Sequence, residues 1–408
     1  MNLLFDFITL QSKTGAAEYV RSVFFALLNE INTNDYSDIR IYALYDSSHG
    51  IAYEDLKTKN ASTANLIFEF IDVYKHSICS IITDYHIDRL FIGCAQYLGN
   101  IPGIESISCE TYCVVHDMVD EEIHQRNIDI FAEMLNPSFQ LEKRNPSIKG
   151  FLQYQRHTLS FMNFFRKNRK SKWHWESRTK FIAEQYRKNP NFHLITVSEY
   201  SKKTIVLNCS INAEAINVLY PPERKFHYSS HTSNYINDLV KIGKIYLLLN
   251  ADRNLKNPHN TIAAFKTYAT YSQDIFLATV GYTKKEFKNH IPLPFLNDDD
   301  LTNLIKNCYA LIYPSFFEGF GYPPIEAMKF GKPILATNVT SVPEILGDSA
   351  IYFSPLYTTS IYNALSNLTD NNYHIFAQKS KERYAWIKKK SEQDLKVLLN
   401  YIINGKNE

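Results

Sequence analysis

The sequence predicts an α/β protein with two doubly wound parallel sheets. Its 408 residues are enough for two domains of about 200 residues, each able to bury a core. Short apolar segments recur along the chain, and stretches with helical periodicity separate them. This alternation is typical of parallel strands joined by crossover helices. Since ligands bind at the carboxyl ends of such strands, the residues that follow each strand are the first candidates for a functional site.

The composition is that of an ordinary globular protein, with 45% hydrophobic and 21% charged residues. The amino terminus has no basic residue ahead of its apolar run, and Asp6 interrupts that run, so neither a signal peptide nor a membrane anchor is predicted. The six cysteines form no CxxC pair and are interpreted as reduced thiols of a cytoplasmic protein. Cys109 and Cys113 lack the partners that a zinc site needs.

Residues 1–222 are predicted to form the first domain. Helices are predicted at Glu18–Leu28 and Ala64–Tyr74. Strands are predicted at Asn2–Phe7, Ile39–Tyr45, Arg89–Gly93, Tyr112–Val115, Leu194–Val197 and Asn217–Tyr220.

His116 and Asp117 directly follow one of these strands and are therefore expected at its carboxyl end. A neutral imidazole there can form a hydrogen bond with a ligand hydroxyl, and the carboxylate can orient the ring or accept a proton. The structural alternative is a buried histidine with satisfied nitrogens and an aspartate that stabilises a turn.

The segment 141–190 is a basic, aromatic-rich insertion, with thirteen Lys and Arg against three Glu. Its most basic part, within 151–181, is predicted to bind an anionic membrane surface or a lipid-linked acceptor, because aromatic and basic side chains both favour the headgroup region. A solvated basic face and a protein partner are the alternatives. Nucleic-acid binding is not predicted, because no recognisable module accompanies the charge.

The second domain is predicted at 241–375, after a polar linker at 223–240 and before carboxy-terminal helices at 376–408. Asp298, Asp299 and Asp300 precede an apolar-periodic helix, so they are interpreted as helix-capping residues rather than as metal ligands.

The stretch Leu311–Ala336 carries the strongest functional signal: a strand, a glycine loop, a helix and a second strand. Gly319 and Gly321 are expected to take positive φ, and the two prolines that follow suit a first helical turn. Backbone N–H groups that lead into a helix N-terminus form an anion site that suits a diphosphate. Glu318 and Glu326 beside it can accept hydrogen bonds from sugar hydroxyls, which together indicates a nucleotide-sugar.

EGFGYPPIEAMKFGKP followed by VPEILGDSAIYFSP resembles the donor-site signature of the retaining family-four, group 1 glycosyltransferases of GT-B fold. Bacterial surface-polysaccharide glycosyl- and mannosyltransferases are among them. The resemblance implies two Rossmann-like domains that face a central cleft, with the last helix crossing back to the first domain. It also implies that Glu318 holds the transferring sugar, that Glu326 holds the ribose, and that 319–322 lines the diphosphate through Gly319, Phe320, Gly321 and Tyr322.

Other residues take their expected roles from the same resemblance. Lys256 and Asn257 resemble the Lys-Asn that holds the diphosphate, and Arg253 is expected to replace an arginine that the family places just after the strand. An exposed loop cation is the alternative for both basic residues. His116 is expected beside the donor sugar. The binding residues expected near the phosphates and base are Gly15, Gly281, Phe295 and Leu296.

The sequence thus predicts a retaining glycosyltransferase that moves a sugar from a GDP- or UDP-linked donor to a hydroxyl of a glycan or lipid-linked acceptor. No covalent nucleophile stands out, and no metal or other cofactor is expected. A cytoplasmic enzyme, peripheral on the inner face of the membrane, is predicted. A nucleotide-sugar epimerase or hydrolase of the same fold and a non-catalytic partner subunit are the alternatives.

Overall fold

The computed structural model divides the chain into two compact units, each with its own parallel sheet. The amino-terminal unit comprises Met1–Met118, Lys167–Arg224 and Lys389–Glu408, and the carboxy-terminal unit comprises Val119–Arg166 and Lys225–Lys388. The residues that the structure describes are 1–48 without 13, 35 and 37, 67–96, 104–122 without 120, 179–224, and 232–406 without 272 and 273. The segment predicted to bind a membrane, 151–181, lies outside them except for its last three positions.

The amino-terminal unit has a seven-stranded sheet in the order β3-β2-β1-β4-β5-β6-β7. All neighbouring strands are parallel and largely buried. The strands are β1 Asn2–Asp6, β2 Arg40–Tyr45, β3 Ile67–Asp72, β4 Arg89–Ile92, β5 Glu110–Val115, β6 Phe192–Thr196 and β7 Ile216–Val218. The helices that cross between them include α1 Gly15–Thr33, α2 Ile78–Asp84 and α3 Glu199–Cys209.

The helix predicted at Ala64–Tyr74 is wrong. Residues Ile67–Asp72 form the edge strand β3, which pairs with β2. The segment IFEFID consists mostly of β-branched and aromatic residues, which favour a strand over a helix. Phe70 packs its ring against Phe7 and Tyr45, with centroids 5.7 and 6.3 Å away, so side-chain packing across the sheet stabilises the strand.

The carboxy-terminal unit has a six-stranded parallel sheet in the order β10-β9-β8-β11-β12-β13. The strands are β8 Lys244–Leu248, β9 Ile275–Val280, β10 His290–Leu293, β11 Ala310–Tyr313, β12 Ile334–Thr337 and β13 Ala350–Phe353. Its helices are α4 Asn234–Leu239, α5 Pro258–Tyr268, α6 Asp298–Asn307, α7 Tyr322–Lys329, α8 Val342–Leu346 and α9 Thr358–Asn367. Helix α10, Asp370–Asn404, begins in this unit, and its residues from 389 onward belong to the amino-terminal unit. The predicted α/β class with two doubly wound parallel sheets is confirmed.

Helix α6 begins as its sequence predicts. The Asn297 side chain accepts the Asp300 backbone N–H at 2.8 Å, and the three aspartates occupy the first turn. Asp300 is buried, and its carboxylate accepts the Ser233 N–H at 2.7 Å. The contacts with Asn297 and Ser233 thus explain why an aspartate is buried at position 300.

Helix α10 ends against the amino-terminal unit's sheet. The Arg89 guanidinium donates to the carbonyls of Ile402, at 3.3 Å, and Ile403, and it pairs with Glu110 at 2.6 Å. A cation at the negative end of a helix is favourable. Among the residues that the structure describes, no helix combines the length and the apolar character that a membrane span requires.

Candidate functional site

In the carboxy-terminal unit, Lys256 and Glu318 form an ion pair at the carboxyl edge of the sheet. Lys256 closes a short 3₁₀ turn that follows β8, and Glu318 lies in the loop that follows β11. These strands are neighbours, so their loops meet. The two side chains are only 13% and 12% exposed. Removing either partner of an ion pair this buried is costly, because the other charge is then left buried without compensation.

The backbone of Glu318 is fixed by the segment that follows β12. Its N–H donates to the Thr340 hydroxyl at 3.2 Å, and its carbonyl accepts the Ser341 hydroxyl at 2.9 Å. Thr340 has φ 58°, a left-handed conformation that places its side chain under the loop. The segment Ser341–Gly347, expected to support a loop near the donor, therefore braces the candidate glutamate directly.

The glycine loop requires positive φ at Gly321 and not at Gly319. Gly321 has φ 103°, and a Cβ there would lie 2.8 Å from the Tyr313 hydroxyl oxygen. Only glycine fits both the conformation and the close approach. The positive φ predicted for Gly319 is wrong, since its φ does not lie in that region. Phe320 between them is buried, so it holds the loop onto the unit.

Helix α7 begins at Tyr322 and has both prolines in its first turn, as predicted. It ends before Gly331, which has φ 65° and donates its N–H to the Met328 carbonyl at 2.8 Å. Glu326 lies on this helix and is 8% exposed. The glycine loop thus leads into the helix N-terminus, as an anion site requires.

Asn257 has a structural role that explains why it follows Lys256. It has φ 54°, and its buried amide donates to the carbonyls of Pro314 at 3.4 Å and Pro355 at 2.8 Å. The side chain joins the loops after β8, β11 and β13. Lys256 pairs instead with Glu318, while Arg253 on the same turn is exposed.

Gly281 and Phe295 lie together at the end of β9. Gly281 has φ 90°, and a Cβ there would be 3.1 Å from the Phe295 ring and 3.2 Å from an Asp252 carboxylate oxygen. The Phe295 side chain is 65% exposed, and Leu296 is half-buried. An exposed aromatic ring beside a position without a side chain suits stacking of a planar base.

His290, which the sequence analysis did not single out, fixes the turn after β9. Its Nδ1 accepts the Glu286 N–H at 3.1 Å, so the proton of the neutral ring lies on Nε2, 2.9 Å from the Thr279 hydroxyl. That hydroxyl donates onward to the Tyr282 carbonyl at 3.4 Å. Burial lowers the pKa of His290 to about 4, so the ring stays neutral and the chain of bonds persists at neutral pH.

In the amino-terminal unit, His116 lies at the end of β5 as predicted, and its Nε2 lies 2.9 Å from the Gly93 carbonyl. A carbonyl only accepts, so Nε2 carries the proton and Nδ1 keeps its lone pair. Burial lowers the pKa of His116 below its ordinary value, which favours this neutral form. Tyr19 lies edge-on to the imidazole at 4.9 Å.

The Gly93 peptide that orients His116 is itself held by Asp6. The Asp6 carboxylate, which is buried, accepts the Gly93 N–H at 3.0 Å, the Thr9 N–H at 2.9 Å and the Thr9 hydroxyl at 2.5 Å. Sequence analysis noted Asp6 only as an interruption of an apolar run. A charged residue at the last position of a buried strand was the signal that could have identified it.

Asp117 and Gly15 are the other two candidates in the amino-terminal unit, and each has a local structural setting of its own. Asp117 is half-buried and accepts the Gln96 side-chain amide at 3.0 Å. Gly15 is the exposed first residue of α1, where Thr14 caps the helix by accepting the Ala17 N–H at 3.4 Å. Its φ is not positive, so the position does not require glycine for its backbone conformation.

We expect His116 to remain neutral, with its proton on Nε2, when the bulk pH falls to about 6.5, because burial disfavours the imidazolium. Long-range ¹H–¹⁵N spectra of protein labelled at histidine would show a pyrrole-type Nε2 and a pyridine-type Nδ1. The His116→Gln variant identifies the signals by their loss. A proton on Nδ1, or a charged ring at pH 6.5, contradicts the assignment.

The sequence profile described as "Glycosyl transferases group 1" matches residues 236–393. A curated relative, the O-antigen chain mannosyltransferase RfbU of Salmonella typhimurium, is 29% identical over 190 residues. The matched part covers 43% of this chain and 50% of RfbU, so the chain spans about half the length of that relative. The matched family region contains the Lys256–Glu318 pair, the glycine loop and helix α7.

Two solved structures resemble the chain over nearly its whole length. A glycosyltransferase from Rickettsia africae has a TM-score of 0.61 at 13% identity and covers 99% of both chains. Anabaena HepE, solved in complex with UDP, has a TM-score of 0.61 at 13% identity and covers 97% of this chain and 99% of its own. At these identities the likeness shows the fold: two parallel-sheet α/β domains of the GT-B class.

Proposed function

From a chain of GT-B fold whose residues 236–393 belong to the group 1 glycosyltransferases, we infer that this protein transfers a sugar from a nucleoside diphosphate sugar to an acceptor hydroxyl. The observation that carries the proposal is the buried ion pair of Lys256 and Glu318 beside the glycine loop. The pair places a cation, which suits a diphosphate, next to a carboxylate, which suits sugar hydroxyls. A nucleotide-sugar carries a diphosphate and sugar hydroxyls within one molecule.

The leaving diphosphate is the group that the site is built to stabilise. Breaking the anomeric C–O bond builds negative charge on the diphosphate, and fixed cations and N–H donors that meet this charge lower the barrier. Lys256 supplies the buried cation, and exposed Arg253 supplies a second one. The backbone from Gly319 to Gly321 and the N-terminus of α7 supply N–H donors.

The two glutamates are assigned to opposite ends of the donor. Glu318, next to the phosphate-binding lysine, accepts hydrogen bonds from the transferring sugar. Glu326, buried on α7, accepts them from the ribose. Phe295 stacks on the base beside Gly281, with Leu296 at its margin.

We assign the acceptor to the amino-terminal unit, where the unprotonated Nδ1 of His116 offers a hydrogen-bond acceptor to a hydroxyl. Transfer with retention is proposed to occur by attack on the face that the leaving group departs from. The proton of the acceptor hydroxyl then passes to the leaving phosphate oxygen, the new C–O bond forms and the old one breaks. No covalent intermediate and no metal ion take part in this scheme.

The similarity to RfbU supports mannose as the transferred sugar and a surface polysaccharide or its lipid-linked precursor as the acceptor. GDP and UDP both remain candidate carriers. Association with an anionic membrane surface through residues 151–181 belongs to the same proposal, since a lipid-linked acceptor resides there.

Donor consumption with and without acceptor tests the function. We expect GDP-mannose, or failing that a UDP-sugar, to be consumed efficiently only when a glycan or lipid-linked glycan is present, in EDTA as well as in buffer. NMR of the product should show the donor's anomeric configuration. Equal consumption without acceptor indicates a hydrolase or epimerase, and nucleotide binding without consumption indicates a non-catalytic subunit.

A further inference from the structure

Tyr313 carries a buried hydroxyl that has no evident structural purpose. It is the last residue of β11, and its side chain is 4% exposed. Its hydroxyl makes no hydrogen bond of standard geometry to any residue that the structure describes, although the side chains of Glu318 and Ser315 lie close to it. A buried polar group without a partner lowers stability, so its retention calls for a functional explanation. The hydroxyl of Ser315, two residues further on, is in the same situation within the described part of the chain.

The Tyr313 side chain forms the floor of the proposed diphosphate site. Its hydroxyl oxygen is the atom that a Cβ on Gly321 would approach to 2.8 Å, so it lies directly under the glycine loop. The ammonium of Lys256 lies 5.5 Å from the centre of its ring. Burial and then the negative charge of Glu318 raise the pKa of Tyr313 well above its usual value, so the hydroxyl keeps its proton and remains a donor.

Binding of the donor creates a need for such a hydrogen-bond donor. In the structure, Lys256 neutralises Glu318. A diphosphate draws Lys256 toward itself, and Glu318 is then left as a largely buried carboxylate without its cation. A sugar hydroxyl satisfies only part of that carboxylate, which accepts several hydrogen bonds. The Tyr313 hydroxyl lies beside it with its proton unused.

We propose that Tyr313 is a positioning residue that donates a hydrogen bond to Glu318 when Lys256 turns to the donor diphosphate. The ion pair is then a resting arrangement, and Tyr313 replaces the lysine as the partner of Glu318 in the occupied site. This role rests on the proposed function. It predicts that the hydroxyl contributes to ligand binding and contributes nothing to the stability of the free protein.

The Tyr313→Phe variant tests both halves of this prediction. Its melting temperature without ligand should equal or exceed that of the wild type, because no hydrogen bond is lost. The affinity for GDP or UDP, whichever the wild type binds more tightly in calorimetry, should fall about 10-fold. In the Glu318→Gln background the same substitution should change that affinity less than about 2-fold, since a neutral side chain does not need the replacement donor.

Tyr352→Phe is the matched control. Its hydroxyl donates to the Gly347 carbonyl at 2.5 Å on the same sheet, so its loss should lower the melting temperature and leave nucleotide affinity unchanged. A lower melting temperature for Tyr313→Phe shows that a water or protein group already satisfies the hydroxyl and overturns the proposal. Unchanged affinity, or an equal loss in the Glu318→Gln background, also overturns it. If the wild type binds neither GDP nor UDP, the proposed function itself fails.

Discussion

Replacing Lys256 by methionine is expected to lower kcat about 100- to 1,000-fold, the loss typical of removing one preorganised group that stabilises transition-state charge. The ammonium is the most buried cation at the proposed diphosphate site, and Arg253 is exposed and cannot concentrate charge to the same extent. Steady-state kinetics with the donor that the wild type consumes measure the loss. Lys266→Met, an exposed lysine on the neighbouring helix α5, is the control and should keep full activity.

The same substitution leaves Glu318 as a buried charge without its partner, which is expected to destabilise the protein by about 3–5 kcal/mol unless the carboxyl takes up a proton. Adding Glu318→Gln to Lys256→Met should therefore restore much of the stability and none of the turnover. Denaturant unfolding beside kinetics separates the two effects. Turnover that recovers in the double variant would show that Lys256 acts only through the fold.

Replacing Glu318 by alanine is expected to lower kcat about 100-fold or more, since charge-assisted hydrogen bonds to the transferring sugar are lost. Glu326→Ala tests the other glutamate, which is assigned to the ribose. That change should raise the KM for the donor about 10- to 100-fold and alter kcat little, because ribose contacts are the same in the ground and transition states.

Asp348→Ala is the control for both glutamate variants, because this carboxylate is exposed and pairs with Lys379 at the surface. Kinetics over a range of donor concentrations distinguish the two expected patterns. If both glutamate variants show the wild-type kcat and KM, the assignment of the donor site to this loop and helix is wrong. If Glu318→Ala mainly raises the KM for the donor and Glu326→Ala mainly lowers kcat, the donor binds in the opposite orientation.

Much of the fold was predictable because its signals are local. The strand predicted at the start of the stretch Leu311–Ala336 is present as Ala310–Tyr313, since a short apolar run followed by a glycine loop admits few other structures. The edge strand β3 was mistaken for a helix, because its pairing with β2 depends on residues far away in the chain. The predicted linker contains helix α4, whose Ser233 cap accepts the Ile236 N–H at 3.4 Å.

The same distinction between local and long-range signals applies to the site residues. Gly321, Glu318 and Glu326 belong to one continuous motif, so the sequence alone identified them. The ion pair joins residues whose numbers differ by 62, and nothing in either local sequence shows that they meet. The roles of Asp6 and His290 were missed for a similar reason, since their partners are backbone groups on neighbouring strands and turns. Tyr313 was read only as a strand residue, because an unmatched hydroxyl becomes visible only in three dimensions.

The Arg89 contacts at the end of α10 bear on the order in which the protein is made. Residues 389–408 pack with the amino-terminal unit, whose other residues all precede 225. During synthesis on the ribosome, all seven strands of the first sheet emerge before the six-stranded sheet, but the segment 389–408 emerges after both. Until it does, the surface beside Arg89 stays uncovered, and exposed surface of this kind makes a nascent chain prone to aggregation.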